Sequence, residues 1–331
     1  MQVEKKLTLR NYSIKENLTI EDKDVELINC DIHGTMILEN SKCRIENCTF
    51  TKDKEEILYP NILILNSQVQ INNTLILKSK NSHGIEAENS WIKIRNITVK
   101  ELEGCGIILT QSVFDIDTAT LTQNGSEESE FSQIYINNSK GRIKNSSVAN
   151  SINSNGIYIT NQSQIEITNT NICCNPRNGI AIDEYSSVSL TKCNIKRNGD
   201  EYNETIQIWV NNSTLAAKEC NIENGICGIY IQKGSNAEIT DCKISNNLGG
   251  VCIFESSTVL INQSTILENL NRPQIWAENS KLKLYNSTIH ANQKILLFAE
   301  NLNLLETKGC NIPKDRLSIK DCRNVIIESY R

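Results

Sequence analysis

QIWVNNS, residues Gln207–Ser213, returns along the chain as QIYINNS (Gln133–Ser139) and QIWAENS (Gln274–Ser280). Looser copies are GIEAENS (84–90), GIYITNQS (156–163) and GIYIQKGS (228–235). In each copy two aliphatics flank one residue of opposite facing, the period-two alternation of a half-buried strand. In the first phrase Ile208 and Val210 read as core and Trp209 as outward. Gln207 and Asn211–Ser213 read as turn chemistry.

The serine that ends the phrase gives the period. It recurs at Ser41, Ser67, Ser90, Ser112, Ser139, Ser163, Ser186, Ser213, Ser235, Ser257 and Ser280, in steps of 22 to 27 residues. After it come alternating apolar positions, as in Ile165 and Ile167, then a small residue and an aliphatic, as in Thr170 and Ile172. Three short strands per repeat is the pattern of an all-β parallel β-helix, a solenoid in which each coil stacks on the next. With strands ~4.8 Å apart, about twelve coils make a rod roughly 55–60 Å long. One inward column is Ile, from Ile85, Ile107 and Ile134 to Ile208 and Ile229. A second is small, including Cys30, Cys48, Thr74, Cys193, Cys220 and Cys242, where a small buried side chain suits a tight bend. An Asn column (Asn47, Asn73, Asn96, Asn145, Asn169, Asn286) precedes it and suits a stacked amide ladder. Coils are expected over residues 23–312, with an N-terminal cap and first strands at 1–22, a C-terminal cap at 313–331 and no second domain.

Composition narrows the function classes. The chain has 331 residues, a net charge of −5 and a sequence pI near 5.5, and its Lys/Arg pairs are isolated, so a nucleic-acid stripe is not expected. No apolar run approaches the ~20 residues of a membrane span, and the start does not read as an export leader. The 13 cysteines are odd in number and lack zinc spacing, so reduced structural thiols, no metal, no cofactor and a cytoplasmic setting are the expectation.

The GIxI columns, the Asn-Ser/Thr/Cys-x-Ile turn and the coil length together resemble the right-handed parallel β-helix repeat proteins of the pectin-lyase-like superfamily. The resemblance covers roughly residues 24–312 and lies in the scaffold. It implies a right-handed coil and, among its members, polysaccharide-cleaving or epimerising enzymes, tailspikes and non-enzymatic binding modules. Of that superfamily's polygalacturonase-type motifs only Arg142-Ile143-Lys144 has a match, with Ser82-His83-Gly84 near another. The two fall on different faces.

The outward column of the phrase is the feature that scaffold logic leaves over. It includes Ile37, Leu63, Glu86, Ile108, Tyr135, Tyr158, Ala181, Trp209, Tyr230, Cys252, Trp276 and Phe298, with Glu86 its one charge. An apolar stripe on a solvent-facing strand marks a binding surface or one that something covers. Acids at Glu39, Glu88, Asp183, Glu278 and Glu300 would fringe it. Three longer turns (51–61, 122–133, 196–207) precede this face and carry Tyr59, Phe131 and Tyr202. They either add to a binding face or fold over the stripe. A protein partner with basic edges is the first expectation and a glycan the second, with no nucleic acid or membrane. The enzyme alternative rests on Glu86 and Glu88, i and i+2 on one strand and therefore roughly 6.5–7 Å apart, a separation suited to an inverting glycosidase, with His83 assisting.

Overall fold

The computed structural model describes residues 6–52, 59–127, 132–199, 206–270 and 272–329. The chain is an all-β right-handed parallel solenoid of about 12 turns. It divides into two compact units, residues 1–158 with 163–165 and residues 159–162 with 166–331. In the first unit the phrase strands Met36–Glu39, Ile62–Leu65, Ile85–Glu88, Ile107–Thr110 and Ile134–Asn137 pair in parallel. Their register stacks Met36, Ile62, Ile85, Ile107 and Ile134, all at 0% exposure. In the second unit Ile208, Ile229, Val251, Ile275 and Leu297 form the same kind of column.

Within residues 1–22, expected as a cap with the first strands, Leu7–Arg10 pairs in parallel with Asp24–Ile28. At the other end the one helix among the described residues, the 3-10 turn Lys314–Arg316, precedes strands Leu317–Lys320 and Val325–Ser329.

At bend after bend a buried side chain accepts from the coil before it, although at Ser235 and Ser257 the N–H donates to a carbonyl of its own coil. At the first bend the Ser41 N–H donates to Ser67 Oγ (2.9 Å), Ser67 N–H to Ser90 Oγ (3.0 Å) and Ser90 N–H to Ser112 Oγ (3.1 Å). Each hydroxyl in turn donates to the carbonyl two residues earlier, as Ser67 does to Leu65 at 2.7 Å. The marker serines are thus core residues, at most 6% exposed.

The second bend repeats the device with sulfur or oxygen. Cys30 N–H donates to Cys48 Sγ (3.4 Å), and in the second unit Cys220 N–H donates to Cys242 Sγ (3.4 Å) and Cys242 N–H to Ser264 Oγ (3.1 Å). These cysteines do more than fill space. Burial pushes the Cys48 thiol up to about 11, so it keeps the proton it donates to the Glu46 carbonyl at 3.3 Å.

The third bend uses amides. Asn198 Oδ1 accepts from Asn175 N–H (3.2 Å), and Asn198 Nδ2 donates to Gln207 Oε1 (2.7 Å). Asn124 with Gln133 and Asn269 with Gln274 are joined the same way, at 2.5 Å each. Gln133, Gln207 and Gln274 are all at 0% exposure. The expectation that Gln207 belongs to a turn is therefore corrected: its amide is buried because the corner asparagine needs an acceptor.

The residue before a corner side chain is usually left-handed, for example Asn29, Asn47, Asn66 and Asn89 at φ 47–54°. Asn tolerates that conformation best among residues with a side chain, which explains its abundance. On the exposed side some of these amides do form a ladder, as Asn96 Nδ2 to Asn73 Oδ1 at 2.7 Å.

Replacing Ser67 by Ala removes the acceptor of the buried Ser41 N–H. The expected loss is about 1–3 kcal/mol, read as a lower urea midpoint at unchanged m-value. Ser67→Cys, which keeps an acceptor, should recover part of that loss, and equal stability of Ser67→Ala and wild type would count against the ladder.

Candidate functional site

The outward column of the phrase strands lies in register within each unit. In the first unit Ile37, Leu63, Glu86, Ile108 and Tyr135 are successive partners. The Tyr135 and Tyr158 rings are 5.7 Å apart, tilted by 56°. In the second unit the partners run Ala181, Trp209, Tyr230, Cys252, Trp276 and Phe298. All these aromatic side chains are half-buried, so each ring keeps an edge or face toward solvent.

Two positions expected to face outward are corrected. Ala181 is 2% and Cys252 1% exposed, since short side chains sink below their larger neighbours. Above Cys252 the gap is filled by Phe254, two residues further along. Its ring stands 5.2 Å from Tyr230 and 6.0 Å from Trp276, and Trp276 stands 5.7 Å from Phe298. Tyr230, Phe254, Trp276 and Phe298 therefore make one continuous row of tilted and edge-to-face contacts, the geometry aromatic quadrupoles favour. Phe254 was missed because the column count stopped at Cys252. A small residue in a large column, with an aromatic two positions on, was the available signal.

The flanking polar column is partly engaged. Glu278 Oε1 accepts the Trp276 indole N–H at 2.6 Å, and Glu300 pairs with Lys320. Asn211 Nδ2 donates to Asp183 Oδ1 at 2.6 Å, and Gln232 Nε2 donates to Asn211 Oδ1 at 3.1 Å. Asn211 is thus strand-end chemistry on this face and no part of the turn. Of the three turn aromatics, Tyr59 is exposed at 55%, while Phe131 and Tyr202 lie outside the described residues.

Glu86 and Glu88 do share one strand face. Burial, and then the charge of Glu88, raises the Glu86 carboxyl above the ordinary carboxylate range. His83 Nδ1 accepts the Cys105 N–H at 2.9 Å, which places the ring proton on Nε2, and burial lowers the imidazole. The Arg142-Ile143-Lys144 stretch has a different employment. Arg142 holds Asp115 through two bonds of 3.0 and 3.1 Å and Lys144 reaches Asp117 at 3.5 Å. Asp115 is held below the ordinary range mainly by that Arg142 bond and Asp117 mainly by Asn145. Among the described residues no group of three or more His, Cys, Asp or Glu is placed to hold a metal ion, and no helix is long and apolar enough to cross a membrane.

A family profile described as a right handed beta helix region matches residues 116–247 and 207–320. No curated protein sequence matches the chain. Among solved structures, a variant of the periplasmic alginate epimerase AlgG is similar at TM-score 0.51 and 11% identity, over 95% of this chain and 78% of that one. PfbA, a surface adhesin of Streptococcus pneumoniae, gives TM-score 0.46 at 11% identity, over 99% and 85%. ORF18 of Geobacillus virus E2 gives 0.45 at 14% identity, over 82% of this chain and 51% of that one, so the chain spans about half the viral protein's length. At such identities the likeness is one of fold.

The raised Glu86 sets a pH dependence. A group whose folded pKa lies above its unfolded value favours the fold at acid pH and loses that contribution as pH rises through the folded pKa. Glu86→Gln is therefore expected to raise the melting temperature at neutral pH and to leave it unchanged at pH values below the ordinary carboxylate range. His83 acts with the opposite slope: its lowered pKa favours the fold above the ordinary imidazole range, and that contribution fades on acidification. A Glu86→Gln gain that is the same at both pH values would contradict the buried-carboxylate account.

Proposed function

We propose that this chain, which belongs to the right-handed beta helix family, is a non-enzymatic binding protein that engages a protein partner through the aromatic row of its second unit. The observation that carries the reading is the unbroken contact from Tyr230 through Phe254 and Trp276 to Phe298, all half-exposed on a strand face. A solvated strand face holds mostly polar residues, and a contiguous apolar row on such a face is a recognition surface. Trp209 extends the row by one coil, as the register partner of Tyr230. Large rings with few rotatable bonds make effective anchors because little side-chain entropy is lost on docking. The carboxylate of Glu278 beside the row, which Trp276 but no cation among the described residues of its own coil engages, favours a partner with basic edges, and a glycan stacking on the rings is the second ligand class.

The enzyme reading keeps one specific support. Glu86 combines a raised carboxyl with a neighbouring carboxylate, the arrangement that separates an acid from a base.

With the full chain as bait, Trp209→Ala combined with Tyr230→Ala and Trp276→Ala is expected to abolish capture of the wild-type partner. Loss of a single central anchor should weaken binding by about 30-fold or more, the effect of ~2 kcal/mol. Circular dichroism should show the β-fold unchanged. Retained capture by the triple variant sinks the proposal. In the enzyme reading, Glu86→Gln removes a measurable activity on a polysaccharide, and an unaffected or absent activity across acidic and neutral substrates retires it.

A further inference from the structure

Beneath the aromatic row lies a pair of sulfurs that the corner ladders do not use. Cys227 and Cys252 stand on adjacent parallel strands, Cys227–Gln232 and Gly249–Ile253, and their Sγ atoms are 3.4 Å apart. Both are free thiols, 2% and 1% exposed. The cover over them is uneven. At Gly228 and Gly250 an added Cβ would meet the backbone oxygen of the following coil, Gly250 O at 2.7 Å and Gln274 O at 2.2 Å respectively. Packing alone demands glycine there. At Gly249 it does not: a Cβ would lie 3.5 Å from Arg272 Cδ and 3.8 Å from Cys252 Sγ, both ordinary contacts. The missing side chain at Gly249 thus leaves Cys252 Sγ and the exposed side chain of Arg272 on either side of one open position. The Cys227 thiol and the Arg272 charge lower the Cys252 thiol against the opposing effect of burial, while Cys227 is raised. Because the Arg272 side chain lies on its side of the pair, Cys252 is the sulfur placed to attack and Cys227 the one placed to resolve.

We propose that Cys227 and Cys252 form an oxidation site for hydrogen peroxide, closing to a disulfide that reshapes the floor of the aromatic row. Cys252 sulfur attacks one oxygen of hydrogen peroxide, the S–H and O–O bonds break, and the other oxygen takes the thiol proton and leaves as water, giving a sulfenic acid on Cys252. Cys227 sulfur then attacks that sulfur, the S–S bond forms, the S–O bond breaks and a second water leaves. The pair gives up two electrons and two protons in all, and the peroxide accepts them. Closing from 3.4 Å to about 2.05 Å draws Cys252 away from the position that seats Phe254 between Tyr230 and Trp276. Coupling to partner binding rests on the function proposed above, whereas the oxidation itself does not.

Treating the full chain with hydrogen peroxide, then alkylating and mapping peptides by mass, should give a cross-linked pair containing Cys227 and Cys252. The pair should be lighter by two hydrogens than the two reduced peptides and be released by dithiothreitol. The half-exposed Cys173, Cys174 and Cys322 report oxidant dose in the same sample. Cys252→Ser should eliminate the cross-link, and Gly249→Ala should slow it several-fold at unchanged melting temperature. Recovery of Cys227 and Cys252 as alkylated thiols when Cys322 is already oxidised overturns the site. A complete disulfide with unchanged partner capture overturns the coupling, and the tryptophan and tyrosine variants decide separately whether the row binds.

Discussion

The bond from a backbone N–H at a bend to a buried Oγ, Sγ or Oδ1 of the next coil is the interaction on which the rest of this structure depends. Strand pairing satisfies the flat stretches of a coil, but a bend turns backbone groups inward where no strand partner reaches them. Ser67, Cys242 and Asn198 each meet that need with one short side chain, and each also binds a backbone carbonyl. A left-handed residue just before the corner makes the bend, as Asn66, Asp241 and Arg197 do at φ 48°, 54° and 54°. Corner chemistry and bend geometry are thus set by adjacent residues.

Once the corners hold the coils in register, every strand position acquires a fixed facing, and side-chain columns follow. That is why an aromatic row can exist at all: Trp209, Tyr230, Trp276 and Phe298 are aligned by the backbone before their rings touch. The row then adapts locally. Where the column residue is the short Cys252, Phe254 closes the gap from the same strand end. The consequence is a continuous surface above and a buried pair of thiols below. The Glu86 pair of the first unit sits on a strand face of the same kind and is perturbed chiefly by its own burial.

Most of the architecture was legible in the sequence because it is periodic. The serine marker, the GIxI aliphatics and the small column all carry a period of two within strands and of one coil between them, and each stands where the count places it. What escaped was the inward amide network. Gln133, Gln207 and Gln274 look like turn residues by composition, and only the corner asparagines they bind reveal them as core. The cysteines were correctly placed but undervalued, since spacing cannot distinguish a filler from a sulfur that accepts an N–H, as Cys48 does from Cys30. Phe254 was hidden for a related reason: a column count assigns one outward residue per coil, whereas packing selects whichever ring reaches the gap.

Amide hydrogen exchange tests the central claim most directly. The corner N–H groups of Ser41, Ser67, Ser90 and Ser112 each donate to a serine side-chain oxygen of the next coil and to no backbone carbonyl among the described residues. Exchange slows in proportion to the free energy of opening. If these bonds hold the coils together, the four amides exchange as slowly as the strand amides of Ile64 and Ile71, and Ser67→Ala speeds Ser41 selectively. Exchange of the corner amides at unprotected rates while the strands stay protected would contradict the account.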